Sequence, residues 1–233
     1  MLEVTALDAW YGQAQVLYGV SLSVDAGECV ALLGRNGAGK STTMKAIMGL
    51  LAKKRGRVAF RGRDISGLPP YRIGRLGLGW VPEDRRIFTE LTVRENLAVA
   101  RQPPRDGAPE WTPERLYALF PNLGAMPDRP GGRMSGGEQQ MLTVARTLMG
   151  NPYLVLLDEP SEGVAPLIVE EMARMIVELK KAGVAVLLSE QNLHFARLVA
   201  DRAVVLEKGD VKFSAAMESL MRDEALLRTY LSL

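Results

Sequence analysis

An eight-residue stretch near the start of the chain restricts the fold more than any other feature. Gly34-Arg35-Asn36-Gly37-Ala38-Gly39-Lys40-Ser41 matches the phosphate-binding pattern GxxxxGK[ST] at every specified position. An apolar run, residues 29–33, precedes it, and residues 42–48 after it suit a helix. Glycine lets successive backbone N–H groups turn towards phosphate oxygens, and the helix directs its positive end at the same charge. The segment therefore predicts a nucleoside triphosphate site between a buried strand and a helix, with Lys40 as a cation and Ser41 as a Mg²⁺ ligand.

The composition indicates a soluble globular protein that stays in the cytoplasm. The 233 residues are 47% hydrophobic and 24% charged, and no apolar run approaches the roughly 18 residues that span a bilayer. The net charge of +2 gives no argument for nucleic acid, so we expect no such partner and interpret the basic clusters 53–55 and 85–86 as solvated surface. Cys29 is the only cysteine, which excludes an internal disulfide and favours a small buried hydrophobe.

The hydrophobic patterns predict an α/β fold. Residues 2–6 and 16–24 alternate apolar and polar side chains, which indicates an antiparallel β layer, and residues 57–61 add a short strand. Apolar runs at 78–81, 153–157 and 184–188 are typical of buried strands in a parallel sheet.

A segment of different composition interrupts this pattern. Residues 84–133 are rich in Pro, Arg and Glu, and we predict an inserted helical subdomain that extends over roughly 84–150 within a single domain of residues 1–233. Thr92 and Glu95 form a capping-box pattern, and Thr112 begins a second helix that Pro121 is expected to stop. After Gly183 the pattern predicts a strand, a helix over 192–200, a hairpin across 207–210 and a helical tail to Leu233.

Two acidic residues follow the apolar run at 153–157. In a parallel sheet this arrangement delivers Asp158 and Glu159 to the edge where the phosphates of a nucleotide bind. We expect Asp158 to hold Mg²⁺, directly or through water, and Glu159 to polarise the attacking water. An ordinary helix N-terminus, which favours negative charge, is the alternative for two acids in this position.

The predicted start of a second helix is suited to bind an anion. Ser135 can cap a helix whose capping box Glu138 closes, while Gly136 and Gly137 leave backbone N–H groups bare. One chain does not easily bring two such termini to one triphosphate, so we expect this one to meet nucleotide on another subunit. A helix cap without a ligand is the alternative.

These motifs, with Tyr11 upstream, resemble an ATP-binding cassette ATPase over essentially the whole chain. The resemblance implies that Tyr11 stacks on adenine, that Glu83 stands at the glutamine of the Q-loop and that residues 161–166 form the D-loop. An aromatic residue on an edge strand is the alternative for Tyr11. The implied nucleotide contacts are Tyr11, Gly34, Asn36, Gly37, Ala38, Gly39, Lys40, Ser41, Thr42, Ser135, Gly136, Gly137 and Glu138.

Three positions depart from the usual family pattern. Glu83 replaces glutamine, residues 161–166 lack the D-loop aspartate, and Gln191 stands where the switch histidine is normal. His194, the only histidine, lies three residues later and is expected at the surface or in packing. With the strings MSGGEQQML and SEQN, these departures resemble the LivF-type ATPase subunit of branched-chain amino acid importers.

The resemblance implies an ATP-hydrolysing, Mg²⁺-dependent subunit. The implied catalytic residues are Glu159, Lys40 and Gln191, and the implied Mg²⁺ ligands are Ser41, Asp158 and Glu83. The chain would pair with a second ATPase, identical or not, and drive two membrane permeases at the cytoplasmic face of the inner membrane, with a periplasmic solute-binding protein acting indirectly. A urea or amide importer, a soluble switch protein acting on ribosomes or DNA, and a regulator that barely hydrolyses ATP are the alternatives.

Overall fold

Ten strands occur within residues 1–231, the part of the chain that the structure, a computed structural model, describes. They are β1 (Leu2–Tyr11), β2 (Ala14–Val24), β3 (Cys29–Leu33), β4 (Lys53–Phe60), β5 (Arg63–Asp64), β6 (Leu78–Val81), β7 (Leu154–Asp158), β8 (Ala185–Glu190), β9 (Arg202–Glu207) and β10 (Asp210–Ala216). The predicted end of the helical tail, residues 232–233, lies outside the described residues.

The same residues form ten α-helices. They are α1 (Lys40–Ile47), α2 (Pro70–Arg75), α3 (Val93–Ala100), α4 (Pro113–Leu119), α5 (Pro121–Gly124), α6 (Gly136–Leu148), α7 (Pro166–Lys181), α8 (Leu193–Val199), α9 (Met217–Arg222) and α10 (Glu224–Leu231). No helix within residues 1–231 has the length and apolar character needed to cross a membrane.

A six-stranded sheet in the order β10-β9-β3-β8-β7-β6 forms the centre of the fold. Its neighbours are parallel except for the β9–β10 hairpin. Every residue of β3, β7 and β8 is buried, because both faces are covered. Leu154 and Leu156 pack with α1 and the first strands, whereas Val155 and Leu157 pack with the helices of the opposite face. The predicted α/β class with a parallel sheet is confirmed.

The N-terminal strands form a separate antiparallel sheet in the order β2-β1-β4-β5. The alternation predicted a first strand ending at Ala6, but β1 continues to Tyr11. The register of β1 against β2 shifts between Val4 and Leu7, and Ala6 has a φ of 47°. This bulge breaks the period-2 pattern without ending the strand, which is why sequence alternation placed its end too early.

Helices α3 to α6 lie between β6 and β7, within residues 84–150, the range predicted for the helical subdomain. Thr92 caps α3 as predicted: its Oγ1 accepts from Glu95 N at 3.2 Å, and Glu95 Oε2 accepts from Thr92 N at 2.8 Å. Pro121 follows the end of α4 as predicted, since α4 ends at Leu119, and the same proline also begins the short helix α5, which was not predicted. Proline suits that position because the first helical N–H has no partner within the helix.

The β9–β10 hairpin is fixed to the N-terminal part of the chain through its turn. Gly209 N donates to Ala38 O at 2.8 Å, and Tyr18 N donates to Gly209 O at 2.9 Å. Gly209 has a φ of +80°, and a Cβ on it would lie 1.9 Å from Val16 O. Only glycine fits this close approach of two backbones.

We expect Gly209→Ala to destabilise the protein strongly, and Gly62→Ala serves as the matched control. Gly62 also has a positive φ, +77°, but nothing lies within 4 Å of its added Cβ. The control should lose about 1 kcal/mol from backbone strain, whereas Gly209→Ala should lose on the order of 3 kcal/mol or more from strain and collision. Urea unfolding measures both. Equal losses would contradict a close approach at Gly209.

Candidate nucleotide-binding and hydrolysis site

The phosphate-binding motif forms the loop that joins β3 to α1, as the sequence predicts. Gly39 is the N-cap of α1 in the left-handed region, with φ at +108°. Its Cβ would lie 2.8 Å from Leu17 Cδ2. The loop therefore needs glycine there, both for its backbone conformation and for the close packing of β2. The bare N–H groups at the start of α1 suit phosphate oxygens.

Lys40 connects this loop to the residue that follows β7. The residue is 4% exposed, and Nζ donates to Gly34 O at 2.8 Å and Arg35 O at 3.2 Å. The same Nζ lies 3.1 Å from Glu159 Oε1. The ammonium is thus held inside the curve of the loop, at the place where the triphosphate charge of a nucleotide would need it.

Ser41 and Asp158 lie side by side, as a shared metal site requires. Ser41 Oγ donates to Asp158 Oδ1 at 2.9 Å, and Ser189 Oγ donates to the same oxygen at 2.6 Å. Burial raises the pKa of Asp158, while the hydrogen bonds from Ser189 and Ser41 act in the opposite direction. A hydroxyl and a carboxylate oxygen in contact are the hard oxygen donors that Mg²⁺ prefers, so these two residues fit the ion.

Glu159 follows β7 in a constrained backbone conformation, with a φ of 46°. Its Oε2 accepts from Gln191 Nε2 at 2.8 Å, so the structure brings the predicted catalytic residues together. Burial alone would raise the pKa of Glu159, but hydrogen bonds with Glu162, Gln191 and Lys40 hold it below its ordinary value. An ionised carboxylate at this edge suits the polarisation of a water molecule.

A cleft of about 390 Å³ lies over these groups. Its lining includes Asn36, Thr42, Glu83, Glu159 and the loop glycines Gly37 and Gly39. Glu83, the third predicted Mg²⁺ ligand, is exposed on the rim, and its role stays a prediction. Tyr11 is 48% exposed at the end of β1, and Val16 rather than Tyr11 lines the cleft. Stacking of Tyr11 on adenine likewise stays a prediction.

The second predicted anion site is a well-formed helix cap outside this cleft. Ser135 Oγ accepts from Glu138 N at 3.3 Å, and Glu138 Oε2 accepts from Ser135 N at 2.7 Å, which is the predicted capping box at the start of α6. Gly136 and Gly137 follow the cap, and residues 135–138 are not part of the cleft lining. Their predicted contact with nucleotide on another subunit is compatible with this position.

Three polar residues near the site were not singled out from the sequence. Ser189 and Glu190 end β8 beside Asp158, and Glu162 lines the cleft. The hydrogen bond with Glu159, burial and the neighbouring carboxylates raise the pKa of Glu162 to about 7. For Ser189 and Glu190 the available signal was a polar residue at the end of an apolar run, the same signal that identified Asp158. His194 is exposed on α8 and does not line the cleft.

The comparisons with known proteins agree with this geometry. The family described as ABC transporter matches residues 17–162. The high-affinity branched-chain amino acid transport ATP-binding protein BraG of Pseudomonas aeruginosa is 40% identical over 99% of both chains. The lipopolysaccharide export system ATP-binding protein LptB of Haemophilus influenzae is 36% identical over 95% of this chain and 92% of that protein.

Solved structures show the same fold. The ATP-binding subunit of an ABC transporter superposes with a TM-score of 0.83 at 32% identity, over 100% of this chain and 96% of that one. A nucleotide-free ATP-binding cassette from an ABC transporter superposes with a TM-score of 0.82 at 27% identity, over 97% of both chains. With the phosphate loop, the paired acids and the capped helix α6 in one fold, this chain belongs to the ATP-binding cassette family and is the ATPase subunit of a transporter.

Proposed function

We propose that this ATPase subunit powers the import of branched-chain amino acids. The observation that carries the proposal is the 40% identity to BraG over nearly the full length of both chains. The residue pattern supports it, because Glu83 and Gln191 depart from the common family pattern in the way on which the LivF-type resemblance rests.

The contacts of Lys40 suggest how the site prepares for hydrolysis. An ammonium group has three N–H donors, and Lys40 uses them on Gly34 O, Arg35 O and the Glu159 carboxylate. The phosphates of ATP compete for the same cation, and charge-assisted bonds to phosphate are strong. As Lys40 turns to the phosphates, Glu159 Oε1 becomes free to accept a proton from the attacking water. Gln191 keeps its hold on the other oxygen.

Ser41 and Asp158 hold Mg²⁺ in this proposal, with Glu83 as a further ligand from the rim. When bound, the ion neutralises charge on the phosphates. Glu159 polarises the water, while the loop N–H groups and Lys40 orient the triphosphate and stabilise the charge that develops in the transition state. These roles divide the site into binding groups and one group that acts on water.

The working assembly has further subunits. ATP-binding cassette ATPases work as dimers with membrane permeases. We propose that Ser135, Gly136, Gly137 and Glu138 contact ATP bound to a second ATPase, identical or not, so that ATP closes the pair and hydrolysis reopens it. A periplasmic solute-binding protein would deliver the amino acid to the permeases.

We propose residues 88–100 and the groove beside them as the permease contact, which holds the chain at the cytoplasmic face of the inner membrane. The groove has a volume of about 310 Å³ and is lined by Trp80, Ala100 and Arg146. Within residues 1–231, Trp80 Nε1 and Arg146 Nη1 are buried without a hydrogen-bond acceptor. Phe88 is exposed beside them, with the Arg146 guanidinium 4.9 Å from its ring centre. A permease loop that presents an apolar residue and a carbonyl or carboxylate oxygen suits this surface.

Lipopolysaccharide export is the second candidate, because LptB of Escherichia coli is also 34% identical over 95% of this chain. Uptake experiments separate the two. In the host lacking this chain, we expect uptake of labelled leucine to be lost, to return with the unchanged protein, and to stay lost with Lys40→Ala. Uptake of urea is measured in the same cells as the comparison solute. Normal leucine uptake with lipopolysaccharide retained at the inner membrane would favour export instead.

Lys40→Ala and Glu159→Gln should separate binding from turnover in the purified protein. Lys40→Ala should weaken ATP binding by roughly tenfold to a hundredfold, because a charge-assisted contact to phosphate is lost. Glu159→Gln should keep affinity and reduce turnover by at least about a hundredfold, as expected for loss of a general base. Lys181→Ala, on the far end of α7, is the control. Normal turnover in Glu159→Gln would remove Glu159 from its assigned role.

Ser135→Arg should leave ATP bound at the chain's own loop but prevent dimer closure, since a bulky cation replaces the cap of α6. Ser135→Thr, which keeps a capping hydroxyl, is the matched control. The experiment is size-exclusion chromatography with ATP in the Glu159→Gln background, with circular dichroism to check that α6 still folds. ATP-dependent dimers that survive Ser135→Arg would contradict the assignment.

A further inference from the structure

Glu190 is a buried acid for which the hydrolysis scheme above has no use. It is the last residue of β8 and is 2% exposed. Burial raises its pKa, and hydrogen bonds from neighbouring groups oppose that shift. A buried carboxyl group costs several kcal/mol unless its oxygens are bonded, so its contacts indicate what it does for the fold.

Both oxygens of Glu190 accept hydrogen bonds from backbone amides. Oε1 accepts from Ser161 N at 3.0 Å. Oε2 accepts from Gln191 N and Asn192 N, each at 3.1 Å. One carboxylate therefore joins the loop that follows β8 to the loop of Ser161, which precedes Glu190 by 29 residues in the chain.

The two loops that Glu190 joins are those that carry the hydrolytic groups. Ser161 lies two residues after Glu159, and Gln191 donates from Nε2 to Glu159 Oε2 at 2.8 Å. The contacts form a closed ring that runs from Glu159 along its loop to Ser161, through Glu190 to Gln191 and back to Glu159. Ser189 supports the same ring, because Glu159 N donates to Ser189 Oγ at 3.1 Å.

We infer that Glu190 is a positioning residue for ATP hydrolysis, which holds the loop after β7 against the segment of Gln191 and so fixes the amide of Gln191 on the Glu159 carboxylate. The inference rests on the proposed role of Glu159. A carboxylate suits this task because it offers two acceptor oxygens and no donor. A glutamine at position 190 would turn an NH₂ group towards one of the backbone N–H groups, so one loop would lose its partner.

Glu190→Gln should therefore lower kcat by about tenfold or more while the KM for ATP changes by less than about twofold, since the loop and Lys40 that bind ATP are not touched. Glu178→Gln is the matched control, an exposed glutamate of α7 paired with Lys181. Its kcat should equal that of the unchanged protein.

A double-mutant cycle with Gln191→Ala distinguishes positioning from general destabilisation. If Glu190 acts through Gln191, the double variant should lose less kcat than the product of the two single losses. The shortfall should exceed about twofold, which is the usual error of additivity. Multiplicative losses, or a KM that rises with an unchanged kcat, overturn the inference. If Glu190→Gln does not purify as a folded protein, Glu190→Asp, which keeps the charge and both oxygens on a shorter side chain, enters the same cycle with the same criteria.

The Glu159→Gln variant separates this inference from the proposed function. Normal turnover in Glu159→Gln means that the proposed hydrolytic site is wrong. Loss of turnover in Glu159→Gln together with normal turnover in Glu190→Gln means that the site is right and the positioning role of Glu190 is wrong.

Discussion

The contacts of one buried ammonium group join the two halves of the candidate site. Lys40 Nζ bonds two carbonyl oxygens of the loop after β3 and lies 3.1 Å from the carboxylate that follows β7. A buried cation without partners would be strongly unfavourable, so the loop and the strand edge must be positioned together. Lys40 and Glu159 are also the two groups that the proposed reaction separates, because ATP competes with Glu159 for Lys40. Lys40 therefore contributes both to the buried charge interactions of the fold and to the proposed reaction.

The parallel sheet explains why these groups meet. The carboxyl ends of β3, β7 and β8 lie at one edge, where β3 leads into the phosphate loop and β7 and β8 end in polar residues. Ser189 and Glu190 end β8 and Gln191 follows it directly. They contact Asp158, the loop after Glu159 and Glu159 itself, respectively. Asp158 and Glu159 thus each have a hydrogen-bonding partner at the end of β8 or directly after it. Rigid strands hold such groups more firmly than loops would, and hydrolysis needs them at fixed distances.

Sequence patterns predicted the elements well where the physical signal is local. The capping boxes at Thr92 and Ser135 depend on residues three apart, and both are present. The end of β1 was placed too early, because a bulge near Ala6 shifts the alternation while the backbone pairing continues. Pro121 was assigned as a stop, and α4 does end just before it. The pattern missed that the same proline also begins α5, since proline suits both the residue after one helix and the first turn of the next.

The sequence by itself determined that the chain has a phosphate loop between a strand and a helix, and that two acids end an apolar strand. These features are encoded within about ten neighbouring residues, where glycine conformations and hydrophobic periodicity act directly. Only the tertiary structure decided that Lys40 meets Glu159, that Gln191 holds the same carboxylate, and that Glu190 joins their loops. These contacts bridge 29 to 119 residues of chain. They depend on strand order and register, which no local pattern specifies.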